Sequence, residues 1–467
     1  MKSHKKYFLL AFVVVLFVIL GIGLYYAWSL AQIGAALKAK TLCSGCFVSK
    51  RSPESILNTD LAADDLSALR YFDAQVDNRA SQMVSASFGG VVSRKAIYRP
   101  GLGCTLIYND SEVTPSVPLE KGSQQAHLMS GQWVGEMSGQ ATLEHVDKSR
   151  LNSAVEWAFS ELDPQHLRRT RAVVIVQNGR IIAERYAEGF NRDTPLMGWS
   201  MTKSVTNALV GILVRAGRLS LDEPVPVPEW QKPGDSRKKI TLNHLLHMSS
   251  GLEFGEESYG PWDDVTYMLL RVSDMAAFAA KKKLAAEPGT KWYYSSGNTN
   301  IICRVIRRVV GEADYITFPR RELFEPIGMF SAVIEPDASG TFVGSSFMYA
   351  TARDWARFGQ LYLHDGIWAG RRILPEGWVK YTATPAPESA NRDYGAHFWL
   401  KIPKKYRSNK GKDALPNDVF HAVGHEGQFL TIIPSRSLVV VRLGLSRLPH
   451  VWRHDEFINM ILGAVKG

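Results

Sequence analysis

No H-E-x-x-H and no G-x-x-x-x-G-K occurs in the 467 residues. A helical zinc-hydrolase pair and a phosphate-cradling loop are therefore not indicated. No G-x-S-x-G frames the serine singled out below, so an α/β-hydrolase nucleophile elbow is not supported either. Cysteine is scarce, with four residues: Cys43, Cys46, Cys104 and Cys303. Cys43-Ser44-Gly45-Cys46 has C-x-x-C spacing, but no βαβ pattern surrounds it, which argues against a thioredoxin-like redox centre. His244 and His247 form a single pair in an otherwise apolar stretch, and one pair is not a metal site. No metal and no cofactor are expected. The formal charge is +10, yet Lys2, Lys5, Lys6, Lys38 and Lys40 flank one apolar segment. The remaining excess has no arginine-aromatic interleaving suited to nucleic acid. No internal repeat is evident.

That apolar segment is the first thing the chain does have. Tyr7 to Trp28 is 22 residues without a charge, long enough to cross a bilayer, whereas the apolar core of a cleaved signal is usually about 7–15 residues. The lysines before it keep the start in the cytoplasm, and Tyr25, Tyr26 and Trp28 suit the far interface. The expectation is a single-pass membrane protein with its folded part outside the cytoplasm, on the periplasmic side. Secretion after a cut near Ser29-Leu30-Ala31 is the alternative. In an oxidising compartment a bridge within the N-terminal region follows: Cys43–Cys104, or alternatively Cys46–Cys104. Cys303 then reads as a buried free thiol.

Three segments carry chemistry. The first is Ser200-Met201-Thr202-Lys203, an S-x-x-K at the head of an amphipathic helix predicted from Ser200 to about Ala216 and closed by Gly217. Three residues apart on a helix, an amine stands beside a hydroxyl, which activates a serine without a histidine. The free N–H groups at the helix start suit a developing oxyanion. Ser3–Lys6 and Ser236–Lys239 repeat the pattern, in a charged terminus and a loop. The second segment is the Pro288 to Asn298 loop, where Tyr294 precedes a predicted helix over 299–310; a tyrosine against that lysine would shuttle a proton. The third is Gly424-His425-Glu426-Gly427-Gln428, which leads into the strand Phe429–Ile433. A glycine there permits close backbone approach to a ligand.

In this order the three segments resemble the serine β-lactamase and penicillin-binding-protein superfamily. The class C β-lactamase-like branch, with its esterases and 6-aminohexanoate-dimer hydrolases, is the nearest match. The stretches Ile240–Leu252 and Tyr349–Gly359 are similar to the same branch, and the resemblance runs from about residue 150 to the C-terminus. It implies Ser200 as nucleophile, Lys203 as its activator and Tyr294 as proton shuttle, with the N–H groups of Ser200 and Gln428 as the oxyanion hole. Two positions depart from the pattern. Ser296 stands where Y-x-N has its asparagine, and offers a substrate amide a weaker contact. His425-Glu426-Gly427 replaces K-T-G, and histidine is a poorer anchor for a carboxylate than lysine. Ser296, His425, Gly427 and Tyr259 are the substrate-side residues this reading implies.

The expected fold is α/β of the α+β kind: an antiparallel sheet flanked by N- and C-terminal helices, plus a helical lobe. A helix near Leu151–Leu162 and a hairpin around Asn178-Gly179 open it. Strands 429–433 and 438–443 and a helix over 455–465 close it. Residues 1–40 read as cytoplasmic start and anchor, 41–145 as an N-terminal extracytoplasmic region with a hairpin near Gln82–Tyr108, and 146–467 as the hydrolase domain. Asn109 to about Gln140 reads as a linker or wrap. The expected activity is hydrolysis of an ester or amide, in a small-molecule or peptide-like substrate, through an acyl-serine. The alternatives are a membrane-anchored sensor of the same fold without turnover, and a cell-wall D-amino-peptide hydrolase or β-lactamase.

Overall fold

The computed structural model describes residues 2–78, 82–108, 146–258, 260–408, 415–448 and 450–465, with side chains from residue 6 onward. Tyr259 and the Asn109–Gln140 stretch lie outside the described residues.

The chain opens with one unbroken helix, α1 (Lys2–Cys43). Its side chains from Lys6 to Trp28 are exposed, and burial begins at Ser29. A four-stranded antiparallel meander packs against the buried part: β1 (Asp73–Asp77), β2 (Met83–Phe88), β3 (Val92–Arg99) and β4 (Gly103–Ile107). Cys43, at the end of α1, is bonded to Cys104 on β4, with Cα atoms 6.0 Å apart. Cys46 and Cys303 are free thiols. The boundary expected at residue 40 falls inside α1. The buried half of that helix shares a core with the body of the chain: Ala36, Ala39 and Leu42 belong to one apolar cluster with Val84, Cys104, Val205 and Phe347. A buried acid ties the two regions together. Glu335 pairs with Lys40, and its Oε1 accepts from Ser44 Oγ at 2.8 Å and from the Cys104 N–H at 2.7 Å.

The body begins with α2 (Lys148–Phe159), then β5 (Thr170–Gln177) and β6 (Arg180–Tyr186). Asn178 and Gly179, both at positive φ (49° and 75°), turn this hairpin, as a two-residue loop demands. The inserted lobe carries α3 (Met201–Arg215), α4 (Asp264–Arg271), α5 (Ser296–Val310) and α6 (Ala352–Leu363). The chain then returns through β7 (Phe420–Gly424), β8 (Gln428–Ile433), β9 (Leu438–Gly444) and α7 (His454–Ala464). The five-stranded sheet has the order β7-β8-β9-β5-β6, antiparallel throughout.

Strand side chains alternate between faces, and the two faces of this sheet meet different helices. Val173 and Ile175 cluster with Leu151 and Ala158 of α2 and with Phe457 and Ile461 of α7. Val174 and Val176 join Val439, Val441 and Trp355 on the lobe side. Helix α6 lies so close to the sheet that a Cβ on Gly359 would sit 2.6 Å from Val439 Cγ1. Helix α6 thereby packs the lobe against this face of the sheet.

Candidate active site

Ser200 caps α3 with φ −65° and ψ −5°. The turn before it is strained and doubly held. Trp199 has φ +49°, a costly angle for a bulky residue. Its Nε1 donates to Glu426 Oε2 at 2.9 Å, and its ring stands edge-on to His425 with centroids 5.5 Å apart. Glu426 in turn accepts from Arg447 Nη1 at 2.5 Å, and Arg447 also pairs with Asp65. Gly424 brings β7 up to this turn: a Cβ there would lie 2.1 Å from the Gly198 carbonyl oxygen.

One turn along α3, Lys203 Nζ lies 3.0 Å from Ser200 Oγ, 2.9 Å from Ser296 Oγ and 3.1 Å from the Ser345 carbonyl. The lysine is buried. Burial lowers its pKa, to about 8, against the opposing pull of Glu256, because a low-dielectric site disfavours the ammonium form. Glu256 is also buried, and burial raises its pKa, opposed by Lys203 and Ser296. Ser296 joins the two: its Oγ donates to Glu256 Oε1 at 2.6 Å, and its N–H donates to Oε2 at 2.5 Å. Lys203, Ser296 and Glu256 thus form one connected chain of polar groups behind Ser200.

Tyr294 is half-buried. Lys203 Nζ sits 4.8 Å from its ring centroid, and Trp399 stacks on it at 5.6 Å. Burial raises the phenol pKa and Glu256 adds to the rise, while a hydrogen bond with Ser200 opposes it. The structure therefore brings Ser200, Lys203 and Tyr294 together. Ser296 is placed otherwise than the Y-x-N comparison suggests. It is 1 % exposed, and its hydroxyl bonds Lys203 and Glu256.

At the strand turn, His425 faces the cavity. Burial, with Arg447 and Lys405 adding to it, holds its pKa well below the ordinary value, so the ring is neutral and is no cationic anchor. Gly427 is held by its backbone. Its N–H donates to the Tyr406 hydroxyl at 3.2 Å, and its carbonyl accepts from Arg442 Nη1 at 2.8 Å. It shapes the turn at φ +77°. Gln428 borders the cavity, but its side chain is spent on Gly444, donating to the carbonyl at 2.7 Å and accepting from the N–H at 2.9 Å. What it offers a substrate is main chain.

The cavity holds about 1360 Å³ of atom-free space, counting its open mouth. Ser200, Glu256, Ser296, His425 and Gln428 line it together with Leu37, Lys40 and Thr41 of α1. Two features were missed in the sequence. Glu256 lies in a stretch read only for Tyr259, and nothing in its neighbours marks a buried acid. Nor does a membrane-type helix signal that its far end walls this cavity. His244 and His247 belong to local capping: His244 Nδ1 accepts from the Thr241 N–H at 3.2 Å, and His247 Nδ1 is 2.9 Å from Asn243 Oδ1. Among the described residues no cluster of three or more metal-ligating side chains occurs.

An antiparallel sheet between terminal helices, with a serine-headed helix facing the outer strand turn, defines a β-lactamase-type fold. The chain belongs to the Beta-lactamase family, whose profile matches residues 155–451. The 6-aminohexanoate-dimer hydrolase of Paenarthrobacter ureafaciens is 25% identical over 285 residues, covering 59% of this chain and 72% of its own. A family VIII carboxylesterase superposes with a TM-score of 0.53 at 18% identity, over 70% of this chain and 99% of that one. A penicillin-binding-protein homologue from Caulobacter crescentus gives 0.51 at 17% identity, over 70% and 97%. The family and its hydrolase relatives support hydrolase activity for this chain.

Proposed function

We propose that the protein is a serine hydrolase that cleaves an ester or amide through an acyl-Ser200 intermediate. The single observation behind this is the 3.0 Å approach of Lys203 Nζ to Ser200 Oγ inside a buried site. The two titratable partners are pushed apart in pKa: Lys203 down, Tyr294 up. Such a split assigns roles. Neutral Lys203 accepts the Ser200 proton as Oγ bonds to the carbonyl carbon. Tyr294, a phenol that stays protonated, hands a proton to the leaving oxygen or nitrogen as its bond to that carbon breaks, and is reprotonated from Lys203. Water then attacks the acyl carbon by the reverse proton path and releases the acid. The N–H groups of Ser200 and Gln428 hold the oxyanion, each worth about 3 kcal/mol.

The exposed stretch of α1 has a mean hydropathy of 2.9 over its most apolar window, which supports a membrane anchor with the catalytic body outside the cytoplasm. A signal cut near Ser29-Leu30-Ala31 would fall within a continuous helix whose Ser29 and Ala31 are buried. The neutral His425 disfavours a β-lactam or D-amino-peptide carboxylate.

The test is hydrolysis of p-nitrophenyl butyrate by the wild type and Ser200→Ala, with intact mass recorded in parallel. Turnover that disappears in the variant, by a factor on the order of 10⁴ or more, establishes the reading. Wild-type rates in the variant remove it. An acyl mass that forms without turnover points to a sensor.

A further inference from the structure

We propose that the substrate is a long-chain amphiphile, an ester whose alkyl chain enters the cavity from the bilayer along α1. This rests on the serine-hydrolase reading and the membrane anchor above. Three observations carry it. First, the helix that would span the membrane also walls the catalytic cavity. Leu37 lies eight residues past Ser29, where burial begins, roughly 12 Å along the axis. An acyl chain filling one leaflet, about 15 Å, is long enough to cover that distance.

Second, the facing wall is helix α4, whose Val265, Leu269 and Leu270 line the same cavity, with Phe347 near by. α4 is fastened to α1 where α1 turns from exposed to buried: Arg271 Nη1 donates to Ser29 Oγ at 3.1 Å. Leu37 of α1 with Val265, Leu269 and Leu270 of α4 make an apolar strip along this wall, interrupted by Thr41 and Thr266, and such a strip fits an alkyl chain.

Third, the loop between Glu256 and α4 touches the apolar segment itself. Trp262 is 54% exposed and meets the Tyr26 ring edge-to-face at 4.7 Å. An exposed indole against a tyrosine of an apolar helix is the arrangement of a membrane interface. The segment that supplies the cavity's acid therefore rests on the same interface. The chemistry needs no added reactant: Ser200 takes the fatty acyl group, the alcohol leaves with a proton, and water releases the fatty acid.

The test uses the full chain in detergent and in vesicles. Hydrolysis of p-nitrophenyl laurate and butyrate is compared below their aggregation limits, in wild type, Leu37→Trp and Leu269→Trp, with thermal melts as a folding control. The expected kcat/KM ratio of laurate to butyrate is at least about tenfold, collapsing toward one in either tryptophan variant. A second arm places a fluorogenic diacylglycerol in the protein's own vesicles or in separate ones, and hydrolysis is expected only in the shared bilayer. Ser200-dependent butyrate turnover with no laurate preference, or a ratio untouched by both variants, overturns the chain-binding slot and leaves the hydrolase standing. Equal hydrolysis from separate vesicles overturns the bilayer route. No Ser200-dependent turnover and no acyl mass with either ester removes the hydrolase reading, and the lipid substrate falls with it.

Discussion

Ser296 donates its hydroxyl hydrogen to Glu256 at 2.6 Å while accepting from Lys203 at 2.9 Å. The residue that departs from the family pattern is thus a bridge between a buried amine and a buried acid. The serine is 1 % exposed, and its short hydroxyl is what joins the two groups.

This bridge sets a pH signature. On the proposed mechanism Lys203 is a base when neutral, so kcat/KM should rise as pH climbs through its pKa. The Glu256 carboxylate favours the ammonium form and holds that pKa up. Glu256→Gln removes this pull, and the acid limb of the profile should move to lower pH. Ser296→Ala keeps the charge and cuts the bridge: kcat should fall about ten- to a hundredfold, with less movement of the limb. A pH–rate profile of p-nitrophenyl butyrate hydrolysis for the three proteins separates these effects.

Glu426 positions the nucleophile turn without touching Ser200. Glu426→Ala leaves Trp199 Nε1 without its partner and Arg447 with Asp65 alone, and should lower kcat by about tenfold or more through loss of alignment. Glu426→Gln still accepts from Trp199 and should recover most of the rate. If alanine and glutamine behave alike, the tryptophan contact is not what holds the turn.

The Cys43–Cys104 bond closes a segment with a sequence separation of 61. A cross-link of that span stabilises by about 2–4 kcal/mol, chiefly by restricting the unfolded chain. Cys43→Ser with Cys104→Ser should lower Tm by several degrees, and a reductant should do the same to the wild type and nothing to the double variant. Calorimetry with and without reductant checks this.

Buried histidines make the fold acid-sensitive. His397 and His421 are each pushed down to about 3 by burial, and His425 and His454 lie well below the ordinary 6.5. Below pH 6.5 the unfolded chain binds protons at these sites that the folded chain refuses, so stability falls as pH falls. Each site contributes about 1.4 kcal/mol per pH unit across that window. Urea midpoints should therefore drop between pH 7 and pH 5 and change little between pH 7 and pH 8. A flat midpoint from pH 7 to pH 5 would rule the effect out.

Local pattern settled a great deal by itself. The apolar run Val173-Val174-Ile175-Val176, the Asn178-Gly179 turn and the S-x-x-K spacing are short-range facts, because strand preference, turn angle and helix pitch act over a few residues. They were enough to indicate the sheet, its flanking helices, and an amine set beside Ser200 by one turn of helix. Tertiary structure decided the rest. Glu256 reaches Lys203 across 53 positions of sequence, and burial rather than residue type moves both pKa values. That Arg442 and Tyr406 hold the Gly427 backbone is likewise a long-range contact. The apolar N-terminal run reads as an anchor from composition alone. That its continuation walls the cavity of Ser200 depends on packing against β3 and α4, and such long-range contacts leave no periodic trace in the chain.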